Sequence, residues 1–267
     1  MARARIVLLG TGSSGGVPRV GGDWGACDPA EPRNRRTRCS ALVERWNGTG
    51  DVTRILIDTS PDMREQLLAC GTTHLDAVLY THDHADQAHG IDDVRAFAIR
   101  QRAQIPTYFN AATKERLERR FDYIFLGAGG YPPIMAPQAA LQPLCRFEVH
   151  GRGGPVEFLP LDMQHGQIRC LGFRIGDLAY CNDVNGLPPG SMDALKGLDT
   201  LIIDALRYAP HPSHAHLELT LSWIADLKPK RAILTNLHVD MDYRTLLRDL
   251  PEGVEPAYDG MEITFEV

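Results

Sequence analysis

The stretch Thr81-His82-Asp83-His84-Ala85-Asp86-Gln87-Ala88-His89-Gly90 decides how the rest of this chain is read. The apolar run Ala77-Val78-Leu79-Tyr80 leads into it, and Ile91 to Ile99 then carries helical spacing. The stretch is therefore a strand-to-helix turn crowded with imidazoles and carboxylates. His82 and His84 are two residues apart, so an extended segment turns both to the same side. Asp86 follows where the chain curls into the helix. Imidazole nitrogens and carboxylate oxygens gathered in this way suit a borderline metal such as zinc. The chain has 10 histidines, so three in one turn is a concentration that a polar loop does not require.

A chain of 267 residues, 43% hydrophobic, can bury a large core, as one domain or two smaller ones. Its net charge of −6 argues against a general nucleic-acid surface, which usually carries a basic footprint. The cysteines at 27, 39, 70, 145, 170 and 181 are scattered without a paired framework, which fits a reducing cytoplasm. The segment from Met1 to Gly10 is too short in its apolar part for a signal peptide. No apolar run approaches ~18 residues, so a soluble, cytoplasmic protein is expected.

Outward from the histidine-rich turn, the same arrangement recurs. Arg5 to Leu9 reads as a buried strand closed by Gly10-Thr11-Gly12-Ser13-Ser14-Gly15-Gly16-Val17-Pro18. Glycine there allows a close approach of backbone. The loop is not a dinucleotide fingerprint, because Pro18, Gly21 and Gly22 forbid the helix that should follow. Arg19, Arg33, Arg35, Arg36 and Arg38 follow, either as a solvated face or with one or two guanidinium groups turned in to hold an anion.

Two strand-like runs, 40–45 and 52–58, flank an Asn47-Gly48 turn. The second ends in Asp58, a carboxylate that needs partners and could orient a metal-bound histidine from behind. Ser60 and Pro61 read as the N-cap and first position of a helix ended by Gly71. The piece from Phe121 to Met135 mixes aromatics with glycine and proline and is expected to form a lid or a subunit contact. In the second half, strands end in Asp162-Met163-Gln164-His165, Cys181-Asn182-Asp183, Asp204 and Thr235-Asn236-Leu237-His238. His211, His214 and His216 cluster just before an amphipathic helix. Active-site groups outside the ends of strands are what an α/β scaffold supplies to a metal site.

These residues at these spacings resemble the metallo-β-lactamase-fold hydrolases. Within that group the chain is similar to the branch containing the cyclic-phosphate phosphodiesterase of the carbon–phosphorus lyase pathway, with tRNA 3′-processing endonucleases as more distant relatives. The similarity runs from the Gly-Thr-Gly-Ser-Ser-Gly-Gly-Val-Pro opening, through Arg35-Arg36-Thr37-Arg38-Cys39-Ser40, to Tyr258-Asp259-Gly260-Met261. It implies a single α/β domain over residues 1–267, a four-layer αββα sandwich, with a lid or interface segment at 111–140.

By the same resemblance His82, His84 and His165 are ligands of a first metal and Asp183 is a bridging carboxylate. Asp86 falls at the second metal, and Asp58 at a buried supporting aspartate. His214 falls at the histidine that protonates the leaving group, with His216 as the neighbouring alternative. The family pattern H-x-H-x-D-H departs here at Gln87, and its later Thr-His pair is Thr235-Asn236. Both lost histidines belong to the second metal. His89 and His238 each lie two residues beyond a lost ligand, where they could rebuild a shifted second site. The alternative is one metal, or a weak second one. Cys27 and Cys39 match only part of the cysteine cluster that holds a structural zinc in that branch, and no such zinc is expected.

The expected activity is metal-dependent hydrolysis of a small nucleotide-like or cyclic phosphodiester. Zinc, or manganese, would activate water, Asp86 would orient it, and His214 would protonate the leaving alkoxide. Arg19, Arg35 and Arg36 are candidates for the substrate phosphate. The acidic surface and the lack of a basic arm argue against a long nucleic acid. A homodimer is compatible with the aromatic segment. Two rivals stand beside this reading: an ester, thioester or lactone hydrolase on the same fold, and a non-catalytic nucleotide- or metal-binding protein.

Overall fold

The structure is a computed structural model that describes residues 3–267; Met1 and Ala2, where the N-terminal reading begins, lie outside the described residues. Among the described residues, fourteen strands form two sheets of seven. The strands are β1 (Arg3–Gly10), β2 (Ser40–Trp46), β3 (Val52–Ile57), β4 (Ala77–Leu79), β5 (Ile105–Tyr108), β6 (Met135–Pro137), β7 (Phe147–Val149), β8 (Val156–His165), β9 (Ile168–Ile175), β10 (Leu178–Cys181), β11 (Thr200–Asp204), β12 (Arg231–Thr235), β13 (Val254–Pro256) and β14 (Met261–Glu266). The first sheet has the order β14-β1-β2-β3-β4-β5-β6 and the second β13-β12-β11-β10-β9-β8-β7.

Each sheet is antiparallel at one side and parallel at the other. In the first, the pairs are antiparallel from β14 to β3 and parallel from β3 to β6. In the second, they are antiparallel from β7 to β10 and parallel from β10 to β13. The two sheets thus repeat one pattern of strand directions, although the edge strand beside β1 is β14, far from it in sequence.

The period-2 alternation of apolar side chains explains the four layers. Ile6, Leu8, Ile55, Ile57 and Leu79 of the first sheet share one core with Phe158, Phe173, Tyr180, Ile202 and Ile233 of the second. Their neighbours in sequence face outward. Val7, Leu42, Leu56 and Val78 pack with Met63, Leu67, Leu117 and Ile124 of covering helices. Leu161, Ile203 and Leu234 pack with Leu195, Leu227 and Leu246 of helices on the other side. The expected αββα sandwich is formed.

Local departures have physical causes. The helix expected from Pro61 begins at Met63, with Asp62 at its N-cap position and no side-chain capping bond. Ser60 Oγ is instead engaged with Gln66 Oε1 at 2.9 Å and with the Asp62 amide at 3.2 Å. The histidine-rich stretch itself contains a short helix, Ala85–Ala88, and is followed by a 3-10 turn and a helix Arg95–Gln101. Gly90 closes this turn against Ser60, whose carbonyl oxygen lies 2.1 Å from where a Cβ would sit.

The segment 111–140, expected as a lid or contact, is largely built into the body. Ala111–Arg120 and Asp122–Leu126 are helices, β6 is the edge strand of the first sheet, and Ile124, Phe125, Ile134 and Met135 are buried. Leu126 and Tyr131 stand exposed. The cysteines are all free, and no helix among the described residues is long and apolar enough to cross a membrane.

Candidate metal centre

Parallel strands of both sheets deliver the polar residues to one place. Asp58 follows β3, His82 follows β4, Asp183 follows β10, Asp204 ends β11 and Asn236 follows β12. Two of these, Asp58 and Asn236, have positive φ values of 62°. Asp and Asn tolerate the left-handed region better than other L-residues, because their short side chains can bond locally. Such conformations persist where the surroundings hold them, often at functional sites.

The three expected imidazoles converge. The ring centroids of His82, His84 and His165 lie 4.5, 4.9 and 5.0 Å apart. One ligand atom from each lies within 4.8 Å of the others, and His165, Asp183 and His214 form a second such group. Asp183 Oδ2 is 3.5 Å from His82 Nε2 and 3.8 Å from His165 Nε2.

Hydrogen bonds set the tautomers. Thr81 Oγ1 donates to Asp58 Oδ2 at 2.8 Å, and the Thr81 amide donates to Asp58 Oδ1 at 2.8 Å. With its proton committed, the Thr81 hydroxyl accepts from His82 Nδ1, 3.0 Å away. The His82 Nε2 lone pair is thereby left facing the cluster. His165 Nδ1 donates to the Ser213 carbonyl at 2.7 Å, which leaves its Nε2 lone pair facing inward as well. Asp58 therefore stands behind His82 and reaches it through Thr81.

The electrostatics call for a cation. His82 is fully buried and its Nε2 has no hydrogen-bond partner. Burial, aided by the neighbouring imidazoles, pushes His82 well below the ordinary histidine range and His165 down to about 4. Burial also pushes Asp58 up to about 8 and Asp183 well above the carboxylate range. Inward-facing neutral imidazoles beside desolvated carboxylates are the donor set of a divalent cation, and positive charge there offsets the cost of burying the carboxylates. The residues fit the group.

His214 stands beside the cluster, its ring centroid 4.6 Å from that of His165. Its Nδ1 bonds Asp204 Oδ2 at 2.8 Å. Burial works against the charged ring, but the Asp204 carboxylate outweighs it and raises His214 to about 9. The side chain is 16% exposed, so one side of the ring is open to an entering molecule. His216 caps the helix Leu217–Leu227 through backbone only. His211 packs on His214, 5.1 Å between centroids.

Other expected residues lie elsewhere. Asp86 is half-buried and belongs to neither group of converging ligands, its Oδ2 lying 3.3 Å from Gln87 Nε2. His89 packs edge-on against Phe121 at 5.7 Å. His238 pairs with Asp240 at 3.0 Å and meets the Arg19 guanidinium. Neither joins a group of converging ligands, as the shifted second site weighed for them would require: the turn into the helix carries one away, and Arg19 and Asp240 hold the other.

Arg36, a candidate for substrate phosphate, is 2% exposed and directed to Cys27 Sγ and Asn34 Oδ1. It is part of the interior. Cys27 itself packs with Val17, Trp24 and Val239. Arg35 is exposed, on a shallow cavity of about 200 Å3 that it shares with Arg19 and Arg38.

Sequence reasoning missed several supporting residues. Thr81, the Ser213 carbonyl and Asn182 carry no chemical signature in isolation. Asp204 was visible as a strand-ending carboxylate ten residues before His214, yet was given no role. Asp83 binds Arg116 at 2.9 Å and Arg120 at 2.7 Å, so the helix 111–120 braces the metal turn from below.

Comparison with known proteins agrees with this geometry. The family model of the beta-lactamase superfamily domain matches residues 53–236, the span from β3 to Asn236. A metal-dependent hydrolase of the metallo-β-lactamase fold is what sheets and site together define. The chain belongs to the beta-lactamase superfamily.

Over 99% of its length and 98% of the other's, it is 36% identical to a crystal structure described as a new diphosphatase from the PhnP family, with a TM-score of 0.88. Zn2+-bound PqqB from Methylobacterium extorquens shares the fold at 17% identity and a TM-score of 0.72, covering 97% and 99% of the two chains. A curated relative from Porphyromonas gingivalis, named octanoyltransferase, is 33% identical over 262 residues. That match takes in 97% of this chain and 51% of the relative, so the chain spans about half the length of that protein.

Proposed function

We propose that the protein is a phosphodiesterase acting on a small nucleotide-like or cyclic phosphodiester. The observation that carries this reading is the Asp204–His214 pair beside His165, a proton donor set against the metal cluster where a leaving oxygen would depart. Likeness over nearly the whole chain to a PhnP-family diphosphatase supports chemistry at phosphorus.

His82, His84, His165 and Asp183 would hold a divalent cation, zinc or manganese by the chemistry of the donors. When bound, it supplies Lewis-acid polarisation of the phosphoryl oxygens and a lowered pKa for water. Asp86 accepts a hydrogen bond from the attacking water and fixes its direction. The Nδ1 of His214 is committed to Asp204, so Nε2 carries the proton that goes to the departing alkoxide as the phosphorus–oxygen bond breaks. Arg19, which meets His238, is the candidate to offset charge on non-bridging oxygens.

A second reading, hydrolysis of a carboxylic ester or thioester, is favoured by the relative named octanoyltransferase. It would use the same cluster without a phosphate partner. Phosphorus NMR and acid release, followed on a panel of cyclic nucleotides, nucleoside diphosphates and octanoyl thioesters, separates the two. Turnover confined to the phosphate substrates supports the proposal, and turnover of the thioesters alone overturns it.

A further inference from the structure

We propose that the centre is built for a single divalent cation, with the side-chain amide of Asn236 holding the place of a second. The inference rests on the family assignment and is independent of which substrate is hydrolysed.

The resemblance to dinuclear relatives implies two metals with Asp183 between them, so the residues around the far side of Asp183 decide the matter. Asn236 is 1% exposed. Its Nδ2 lies 3.2 Å from Asp183 Oδ1 and 3.2 Å from Asp204 Oδ1. At its other end Oδ1 faces the Cys39 thiol, with Sγ 4.0 Å away. The two carboxylate oxygens set the orientation, turning the nitrogen toward them, where it also lies 3.1 Å from His214 Nδ1. An amide nitrogen offers protons and no free lone pair. The carboxylate oxygens that a second cation would need are therefore already satisfied by N–H groups, which also relieve the repulsion between Asp183 and Asp204.

No other group completes a second site. The two sets of converging ligands among the described residues share His165, and of the other members of the second, His214 gives its Nδ1 to Asp204. They outline one centre. Gln87 is buried, with its amide between Asp86 Oδ2 at 3.3 Å and Asn182 Nδ2 at 3.2 Å. His89 and His238 face Phe121 and Arg19.

The test uses the full chain, stripped of metal, loaded with manganese and desalted. Metal per chain is measured by elemental analysis, and electron paramagnetic resonance distinguishes isolated from exchange-coupled manganese. The wild type is expected to retain about one equivalent with an uncoupled spectrum. Gln87→His combined with Asn236→His is expected to retain about two, with a coupled spectrum. About two equivalents and coupling in the wild type overturn the proposal. One equivalent in a folded double variant overturns the role given to the amides. The wild-type spectrum decides the count even where the double variant does not fold.

Discussion

Asp204 Oδ2 lies 2.8 Å from His214 Nδ1, and His214 in turn stands against His165. This pairing puts a positioned acid next to the metal ligands and makes the leaving group the point at which its role can be read. Replacement of His214 by alanine should lower kcat about 10²–10⁴-fold on diesters with an alkoxide leaving group. With a p-nitrophenolate leaving group, which needs no proton, the same variant should lose little. Equal losses on both substrates would assign His214 to binding or structure.

Thr81 connects Asp58 to His82, and the variant Thr81→Val keeps the shape while removing the hydroxyl. Metal affinity should fall roughly 10–100-fold, the usual effect of losing a group that orients a ligand. Chelator competition measures it. Unchanged affinity would mean that packing alone orients His82.

Asp83 is 2% exposed, whereas its partners Arg116 and Arg120 reach solvent. Replacing both arginines by alanine leaves a buried carboxylate uncompensated. Urea unfolding should show a loss of about 1–3 kcal/mol, below the figure for a fully buried pair because solvent screens the arginines.

Asp242 caps the helix Tyr243–Asp249 by accepting from the Thr245 amide and also binds Asn34 Nδ2 at 2.7 Å and the Asp28 amide at 3.2 Å. Partial burial opposes its ionisation, yet these bonds prevail and hold it at about 2, below the ordinary 3.8. A folded value below the unfolded one gives stability that is fully present above pH ~4 and is lost as the pH falls through ~2. Wild type should thus be more stable than Asp242→Ala by about 0.5–2 kcal/mol at pH 7, with the gap closing across that window. Denaturant titrations at several pH values check it.

Much of the centre was legible because its signal is local. His82 and His84 sit two apart at the end of an apolar run, and Asp58, His165 and Asp183 also follow strands. Short apolar runs placed many of the strands, and the resemblance implied the four-layer sandwich. What was not legible depends on contacts between distant segments. Asp58 and Thr81 meet only because β3 and β4 run parallel and in register. His89 and His238 looked like substitutes by spacing, but a short helix and the left-handed bend at Asn236 turned them elsewhere. Arg36 read as a candidate for the substrate phosphate because nothing in its neighbourhood announces that it is buried against Cys27 and Asn34.

The most direct test of the account is hydrolysis of bis(p-nitrophenyl) phosphate by metal-stripped protein reconstituted with zinc or manganese, beside His82→Ala treated identically. The account predicts turnover that requires the added ion and is abolished in His82→Ala. Turnover that persists in the variant, or without metal, would contradict it.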